Sequence, residues 1–98
     1  MPLADAMCAA VTGENPNMVV PWYLMAAFAY YVQDDPILSD GAFDALAKRA
    51  AVMWDFVEHR HKDLILPDDL AAGTLLLAKE DYPRLVVGAL EQVRKEHG

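Results

Sequence analysis

The chain has 98 residues, of which 55% are hydrophobic and 23% charged, a balance that excludes a disordered chain and predicts one folded domain over residues 1–98. The formal net charge of −7 argues against direct binding to a nucleic acid, because the phosphate backbone requires clustered Lys and Arg. So much apolar content in a short chain predicts a dense helical core, or an apolar face that a protein partner or a second copy covers.

The cysteine count and the absence of two sequence patterns give the expected location. Cys8 is the only cysteine, so no internal disulfide is possible, and no secretory leader pattern opens the chain. The uncharged, mainly apolar stretch at residues 19–33 is too short to cross a bilayer unaided. We therefore expect a cytoplasmic protein without a membrane span.

Two helices are predicted in the first third of the chain. The first covers Leu3 to Val11 and precedes a cluster of helix breakers at residues 13–17. The second covers Trp22 to Val32, with Pro21 in its first turn. Its apolar residues fall on every face, which is typical of a central helix that is buried on most sides. It is expected to end at Asp34-Asp35-Pro36, since the residue before a proline avoids the helical region.

A third, long helix is predicted from Gly41 through His61, with Ser39 or Asp40 as its N-cap. Residues at three- and four-residue steps predict its packed side: Phe43, Leu46, Ala47, Ala50, Met53, Trp54 and Val57. Four charged residues are predicted to face water: Lys48, Arg49, Asp55 and Glu58.

The last third of the chain predicts two more helical elements. Asp68 or Asp69 is expected to cap a short turn that ends at Gly73. A final helix is predicted from Asp81 or Tyr82 to Glu96, with Pro83 in its first turn. Its apolar stripe comprises Leu85, Val86, Ala89, Leu90 and Val93. Apart from a weak strand pattern at residues 74–77, everything is helical, so the predicted fold class is all-α: an antiparallel helical hairpin with an additional C-terminal helix.

Two segments carry a pattern that matches a known family. The first is Tyr30-Tyr31-x-x-Asp34-x-Pro36-x-x-x-Asp40-x-x-Phe43-Asp44-x-Leu46, and the second is His61-x-Asp63-Leu64-Ile65-x-Pro67-Asp68. Both resemble, in the same order, the amino-terminal helical domain, called Ia, of bacterial NAD-dependent DNA ligases. The resemblance covers residues 22–68, with a third helix about one turn longer than the family's, and leaves 69–98 as a C-terminal helical extension.

The resemblance implies a ligand site. In these ligases, domain Ia holds the nicotinamide mononucleotide half of NAD while a separate domain performs the adenylation. By resemblance, Tyr30, Asp40 and Asp44 take contact roles at that half. Tyr31 stands where the family has His, and Phe43 stands where it has Tyr, so fewer directional contacts are expected.

The residue types at these positions suit a nicotinamide and ribose better than a phosphate. Asp40 and Asp44 are four residues apart and would project from one face near the positive end of the helix dipole. The rings of Tyr30 and Phe43 could stack on a cationic nicotinamide. No Lys or Arg precedes Lys48 to neutralise a phosphate, so the expected affinity is weak, at about millimolar.

The same residues also have a purely structural interpretation. Asp34, Asp35 and Pro36 would be an ordinary turn, Ser39 or Asp40 an ordinary N-cap, and Asp44 an acid favoured by the helix dipole. Tyr30 and Phe43 would then be a core pair that closes the hairpin.

Independent catalysis is not expected. None of the four lysines lies in the Lys-x-Asp-Gly sequence that carries adenylation in this family. On a helix, His59 and His61 would point to different sides, so no metal site is predicted. His59 would make a structural hydrogen bond or pair with Asp55 one turn back. Cys8 has no evident base beside it and is expected to be a small buried hydrophobe. No cofactor is therefore required.

The predicted function is that of a non-catalytic, ligase-Ia-like module that acts through protein contacts and binds NAD or nicotinamide mononucleotide weakly. Two alternatives stay open. One is an acidic accessory or inhibitory interaction protein of phage or mobile-element origin, without a ligand. The other is a trans-acting Ia subunit of a split NAD-dependent ligase.

Overall fold

The computed structural model describes residues 4–75 and 77–97, and every regular element within them is helical. Five α-helices follow along the chain: α1 (Asp5–Glu14), α2 (Val19–Ala27), α3 (Asp40–Met53), α4 (Pro67–Ala72) and α5 (Arg84–His97). A π-helical turn at Phe28–Val32 extends α2, and short 3-10 turns lie at Pro16–Met18, Trp54–Phe56, Lys62–Leu64 and Lys79–Asp81. The predicted all-α class is confirmed; the weak strand pattern at 74–77 forms no strand at its described positions, and Leu76 lies outside the described residues.

Helix α2 is the centre of the core, and it packs against α1, α3 and α5. From Val19 to Ala29 every residue except Pro21 is buried, as the all-round apolar sequence predicts. The helix begins three residues earlier than predicted, because it continues directly from the 3-10 turn before it. The Asn15 side chain caps that turn by accepting the Asn17 N–H.

Helices α2 and α3 form an antiparallel hairpin. At one end, the ring of Tyr30 lies 6.3 Å from that of Phe43, centroid to centroid. At the other end, Asn17 before α2 accepts the backbone N–H of Glu58 beyond α3 at 2.9 Å. The end of α2 therefore lies beside the start of α3, and the start of α2 lies beside the end of α3, as expected.

The first helix lies later in the sequence than predicted. Leu3 is outside the described residues, and α1 continues through Gly13 to Glu14. It stops at Asn15, whose backbone is extended (φ −136°, ψ 98°) because Pro16 follows. The proline, rather than the glycine, ends this helix.

The predicted length of the third helix is wrong: α3 ends at Met53, about two turns before His61. One 3-10 turn follows, and Val57 is then extended. Tertiary contacts hold this end, since Lys62 Nζ donates to the Trp54 carbonyl oxygen at 2.6 Å and lies 5.2 Å from the Trp54 ring centroid. Trp54 and Val57 are nevertheless buried, which is why the helical spacing appeared to continue.

The last two helices also differ from the prediction in detail. Neither Asp68 nor Asp69 is the N-cap of α4, because Leu66 takes that position and the Asp69 carboxylate accepts its backbone N–H at 3.0 Å. Gly73 ends α4, as predicted, in the left-handed conformation (φ 66°). In α5, Val86, Leu90 and Val93 are buried. Leu85 and Ala89, by contrast, are exposed, so the apolar stripe is narrower than predicted. No helix among the described residues is long and apolar enough to cross a bilayer.

Candidate functional site

The end of α2 is widened into a π-helical turn that presents two tyrosines to solvent. Gln33 N–H donates to the Phe28 carbonyl oxygen, and Asp35 N–H reaches back to Ala29 at 2.9 Å. Tyr30 and Tyr31 are 43% and 45% exposed, and their rings meet edge to face at 4.9 Å. Such π turns are often found at functional sites.

This turn closes with a residue of positive φ. Asp34 has φ 51°, in the left-handed region that residues other than glycine seldom occupy. Arg94 on α5 holds the segment: its Nη2 donates to the Gln33 side-chain oxygen at 2.6 Å and to the Asp35 carbonyl oxygen at 2.7 Å. Its Nη1 also pairs with the Asp35 carboxylate at 3.1 Å. The position of the two tyrosines therefore depends on the last helix.

The start of α3 is fixed by α1. Ser39 is the N-cap, with its Oγ accepting the Ala42 N–H at 3.1 Å. The Asp5 carboxylate accepts both the Ser39 N–H, at 2.9 Å, and the Ser39 hydroxyl, at 2.7 Å. Of the two predicted caps, Asp40 is instead the first helical residue, where its negative charge is favoured by the helix dipole.

The π turn and the start of α3 lie side by side at one end of the hairpin. They enclose a surface pocket of about 180 Å³, which we call the ring-and-acid pocket. All five residues predicted for the ligand site line it: Tyr30, Tyr31, Asp40, Phe43 and Asp44. Ala72 and Gly73, at the end of α4, complete it. The sequence predicted that a helix ends at Gly73. No local sequence pattern indicated that this helix, α4, would lie at the same end of the hairpin.

The aromatic part of the pocket is built on the core. Phe43 is half-buried and meets Tyr23 edge to face, with ring centroids 5.2 Å apart. Tyr30 and Phe43 are neighbours, as the structural interpretation proposes, but Tyr30 is too exposed to be a core residue. The core partner of Phe43 is Tyr23, so the Phe43 ring is held by the core while it also lines the pocket.

Tyr23 also ties the core to the rim formed by α4. Its buried hydroxyl donates to the Thr74 carbonyl oxygen at 2.6 Å and lies 3.3 Å from the Asp69 carbonyl oxygen. Burial, followed by the nearby Asp69 charge, raises the pKa of Tyr23 well above its ordinary value. The hydroxyl is therefore a fixed donor that holds the backbone beside Gly73.

The electrostatic field of the pocket is acidic. Lys48 pairs with Asp44 at 2.9 Å, but both side chains are largely exposed, so the pair is weak. Asp40 makes no ion pair within the described residues, and neither Lys nor Arg is among the residues that line the pocket. Partial burial and the adjacent Tyr30 raise the pKa of Tyr31 above its ordinary value. Such a pocket favours a cation and disfavours a phosphate.

The other candidate groups lie elsewhere. Cys8 is buried, as expected, and burial raises the pKa of its thiol to about 11, so it is a poor nucleophile. Of the two roles expected for His59, the pair with Asp55 does not form, because the helix ends before both residues. The structural hydrogen bond does form, since His59 accepts the His61 backbone N–H. Across residues 4–75 and 77–97, no three His, Cys, Asp or Glu side chains are grouped as metal ligands.

No protein-family model matches this chain, and no solved structure is significantly similar to it.

Proposed function

We propose that this protein is a non-catalytic helical module, similar to domain Ia of NAD-dependent DNA ligases, that binds the nicotinamide half of a nicotinamide nucleotide weakly in the ring-and-acid pocket. One observation supports the proposal above all. The five residues chosen by resemblance come from the π turn after α2 and from the start of α3, and they line a single pocket together.

The size of the pocket suits one aromatic ring. An apolar cavity of roughly 150 Å³ accepts benzene, so a volume of about 180 Å³ accommodates a nicotinamide and leaves the ribose at the open side. Tyr30 and Phe43 supply ring surfaces for the cationic heterocycle, an attraction of roughly 0.5–2 kcal/mol. Asp40 and Asp44 supply acceptors for ribose hydroxyls or the carboxamide.

The phosphate of the nucleotide has no cationic partner in this pocket. We therefore expect nicotinamide riboside, which is cationic and lacks phosphate, to bind at least as tightly as nicotinamide mononucleotide. Both dissociation constants should be about millimolar, corresponding to roughly −4 kcal/mol. In a complex, a partner protein would supply the phosphate contacts and the chemistry, since the chain has no Lys-x-Asp-Gly sequence.

Calorimetric titration of the whole chain with both ligands tests the proposal. Asp40→Asn and Asp44→Asn should each weaken binding about three- to tenfold, because they remove a negative charge beside the cation. Asp55→Asn, at an exposed acid beyond the end of α3, is the matched control and should bind as the wild type does. Absence of heat at millimolar ligand, or equal effects of all three substitutions, would refute it.

A second candidate function, assembly through protein contacts without a ligand, is favoured by a different observation. Val52, near the end of α3, and Phe56, in the 3-10 turn after it, are 82% and 85% exposed. Val52 lines a depression together with Lys48, Arg49 and Met53. If a second copy covers this face, sedimentation should show a dimer that Val52→Ser with Phe56→Ser converts to a monomer. A wild-type chain that stays monomeric at all concentrations would contradict this candidate.

A further inference from the structure

A second depression, of about 250 Å³, lies between residues 59–61 and the beginning of α5. One wall carries three nitrogen-bearing side chains, from His59, Arg60 and His61, and the other is apolar, with Leu85, Val86 and Ala89. We call it the basic depression. It shares no residue with the ring-and-acid pocket, and its basic wall contrasts with the net charge of −7 of the chain.

The two histidines are brought together because α3 ends early. Their ring centroids are 5.4 Å apart, and His59 Nδ1 accepts the His61 backbone N–H at 3.1 Å. In the neutral ring, the proton of His59 is therefore on Nε2, where it can be donated. His61 Nε2 is buried and has no hydrogen-bond partner among the described residues. That atom has almost no accessible surface, so the ring nitrogen that can donate to a molecule in the depression is His59 Nε2.

The charges around the two rings favour an anion. Burial, then the neighbouring His61 and Arg60, lower the pKa of His59, and no carboxylate is among the causes. Arg60 is exposed, and its guanidinium makes no ion pair within residues 4–75 and 77–97. A guanidinium that is free to form two parallel bonds matches the geometry of a carboxylate.

The opposite wall limits what carries that anion. Leu85 is 66% exposed, so an apolar group placed against it would remove hydrophobic surface from water. A free phosphate would meet the same cations but would leave this wall uncovered. At roughly 30 Å³ for each water-sized group, the volume corresponds to about eight non-hydrogen atoms.

We propose that the basic depression binds a small monocarboxylate with an apolar tail of about five carbons. The carboxylate accepts hydrogen bonds from Arg60 and His59, and the tail packs against Leu85 and Ala89. This site is independent of the nicotinamide proposal, and either can fail without the other.

Hexanoate is the probe for a test by NMR titration of the whole chain, following the imidazole resonances of His59 and His61. We expect saturable binding at about 10 mM, as suits so small a ligand, with a rise in the pKa of His59. Hexanol lacks the charge, acetate lacks the tail and hexylamine reverses the charge. Each should bind at least about fivefold more weakly, because each lacks the favourable contact with either the basic wall or the apolar wall.

Two exposed cations provide the variant and its control. Arg60→Gln should weaken hexanoate about tenfold, whereas Lys95→Gln on α5 removes the same charge from another part of the surface and should have little effect. The proposal is overturned if hexanol binds as tightly as hexanoate, if the two variants behave alike, or if hexanoate binds without moving the histidine resonances.

Discussion

Two buried tyrosines provide a matched test of how the core supports the ring-and-acid pocket. Tyr23 and Tyr82 are 0% and 5% exposed, and each is an aromatic neighbour of a phenylalanine: Tyr23 of Phe43, and Tyr82 of Phe28. They differ in their hydroxyl groups. Tyr23 donates to the Thr74 carbonyl oxygen, whereas the hydroxyl of Tyr82 has no partner within the described residues. Replacing each tyrosine with phenylalanine removes only that oxygen.

The expected effects have different magnitudes and different signs. Tyr23→Phe leaves a partly buried carbonyl oxygen unpaired and should lower the free energy of unfolding by about 1 kcal/mol, or the melting temperature by roughly 4–8 °C. Tyr82→Phe removes a buried hydroxyl that gains nothing from the fold, so stability should be unchanged or should rise by up to about 1 kcal/mol. Burial also raises the pKa of Tyr82 to about 12, consistent with a hydroxyl in poor contact with water.

Urea unfolding of both variants, followed by circular dichroism, measures these differences directly. The slopes with denaturant should match that of the wild type, since neither substitution changes the surface exposed on unfolding. Equal losses for the two variants, or a larger loss for Tyr82→Phe, would refute the assignment of the Tyr23 hydroxyl as the group that holds the rim beside Gly73.

Three further predictions follow from single residues. Arg94→Met should lower stability by about 1 kcal/mol and weaken nicotinamide riboside binding, because it removes the bonds to Gln33 and Asp35; urea unfolding and calorimetry measure the two effects, and unchanged binding would contradict the role in positioning the tyrosines. Gly73→Ala should cost about 1 kcal/mol in a thermal melt; an added Cβ meets nothing within 4 Å, so the cause is the positive φ alone, and an unchanged melt would be inconsistent with it. Between pH 9 and 11, stability should fall with rising pH more steeply in the wild type than in Cys8→Ala, because the unfolded thiol ionises near its ordinary pKa of 9.0 while the folded thiol stays neutral to about 11; parallel pH profiles would contradict this.

The parts of the fold that the sequence could predict depend on local rules or on one unambiguous pattern. The all-round apolar run of α2, the serine cap of α3 and the glycine that ends α4 each have a local physical cause, and each lies within a few residues of its predicted position. The convergence of Tyr30 and Tyr31 with Asp40, Phe43 and Asp44 was predictable in the same way, since a short connection between two antiparallel helices brings those positions together.

The errors occur where tertiary contacts override the local pattern. Trp54 and Val57 continue the three- and four-residue spacing of α3, yet the chain leaves the helix there because Lys62 binds the Trp54 carbonyl oxygen and Asn17 binds the Glu58 N–H. These partners are 8 and 41 residues away in the sequence. The π turn at Phe28–Val32 likewise could not be predicted, because its amino-acid composition does not differ from that of an ordinary α-helix.

Because α3 was predicted to be too long, the basic depression could not be predicted either. On a long helix, His59 and His61 would point apart, whereas in the observed turn their rings are neighbours. Leu85 was assigned to the core by its spacing, but it faces solvent beside them. A site formed by the premature end of one helix and the start of another could not be read from either segment alone.

The most direct test of the central proposal is an intermolecular NOE experiment with nicotinamide riboside at a saturating concentration. Binding in the ring-and-acid pocket predicts cross-peaks from the nicotinamide ring protons to the aromatic protons of Tyr30 and Phe43. Cross-peaks that instead connect the ligand to Phe56, or no cross-peaks at saturation, would contradict it.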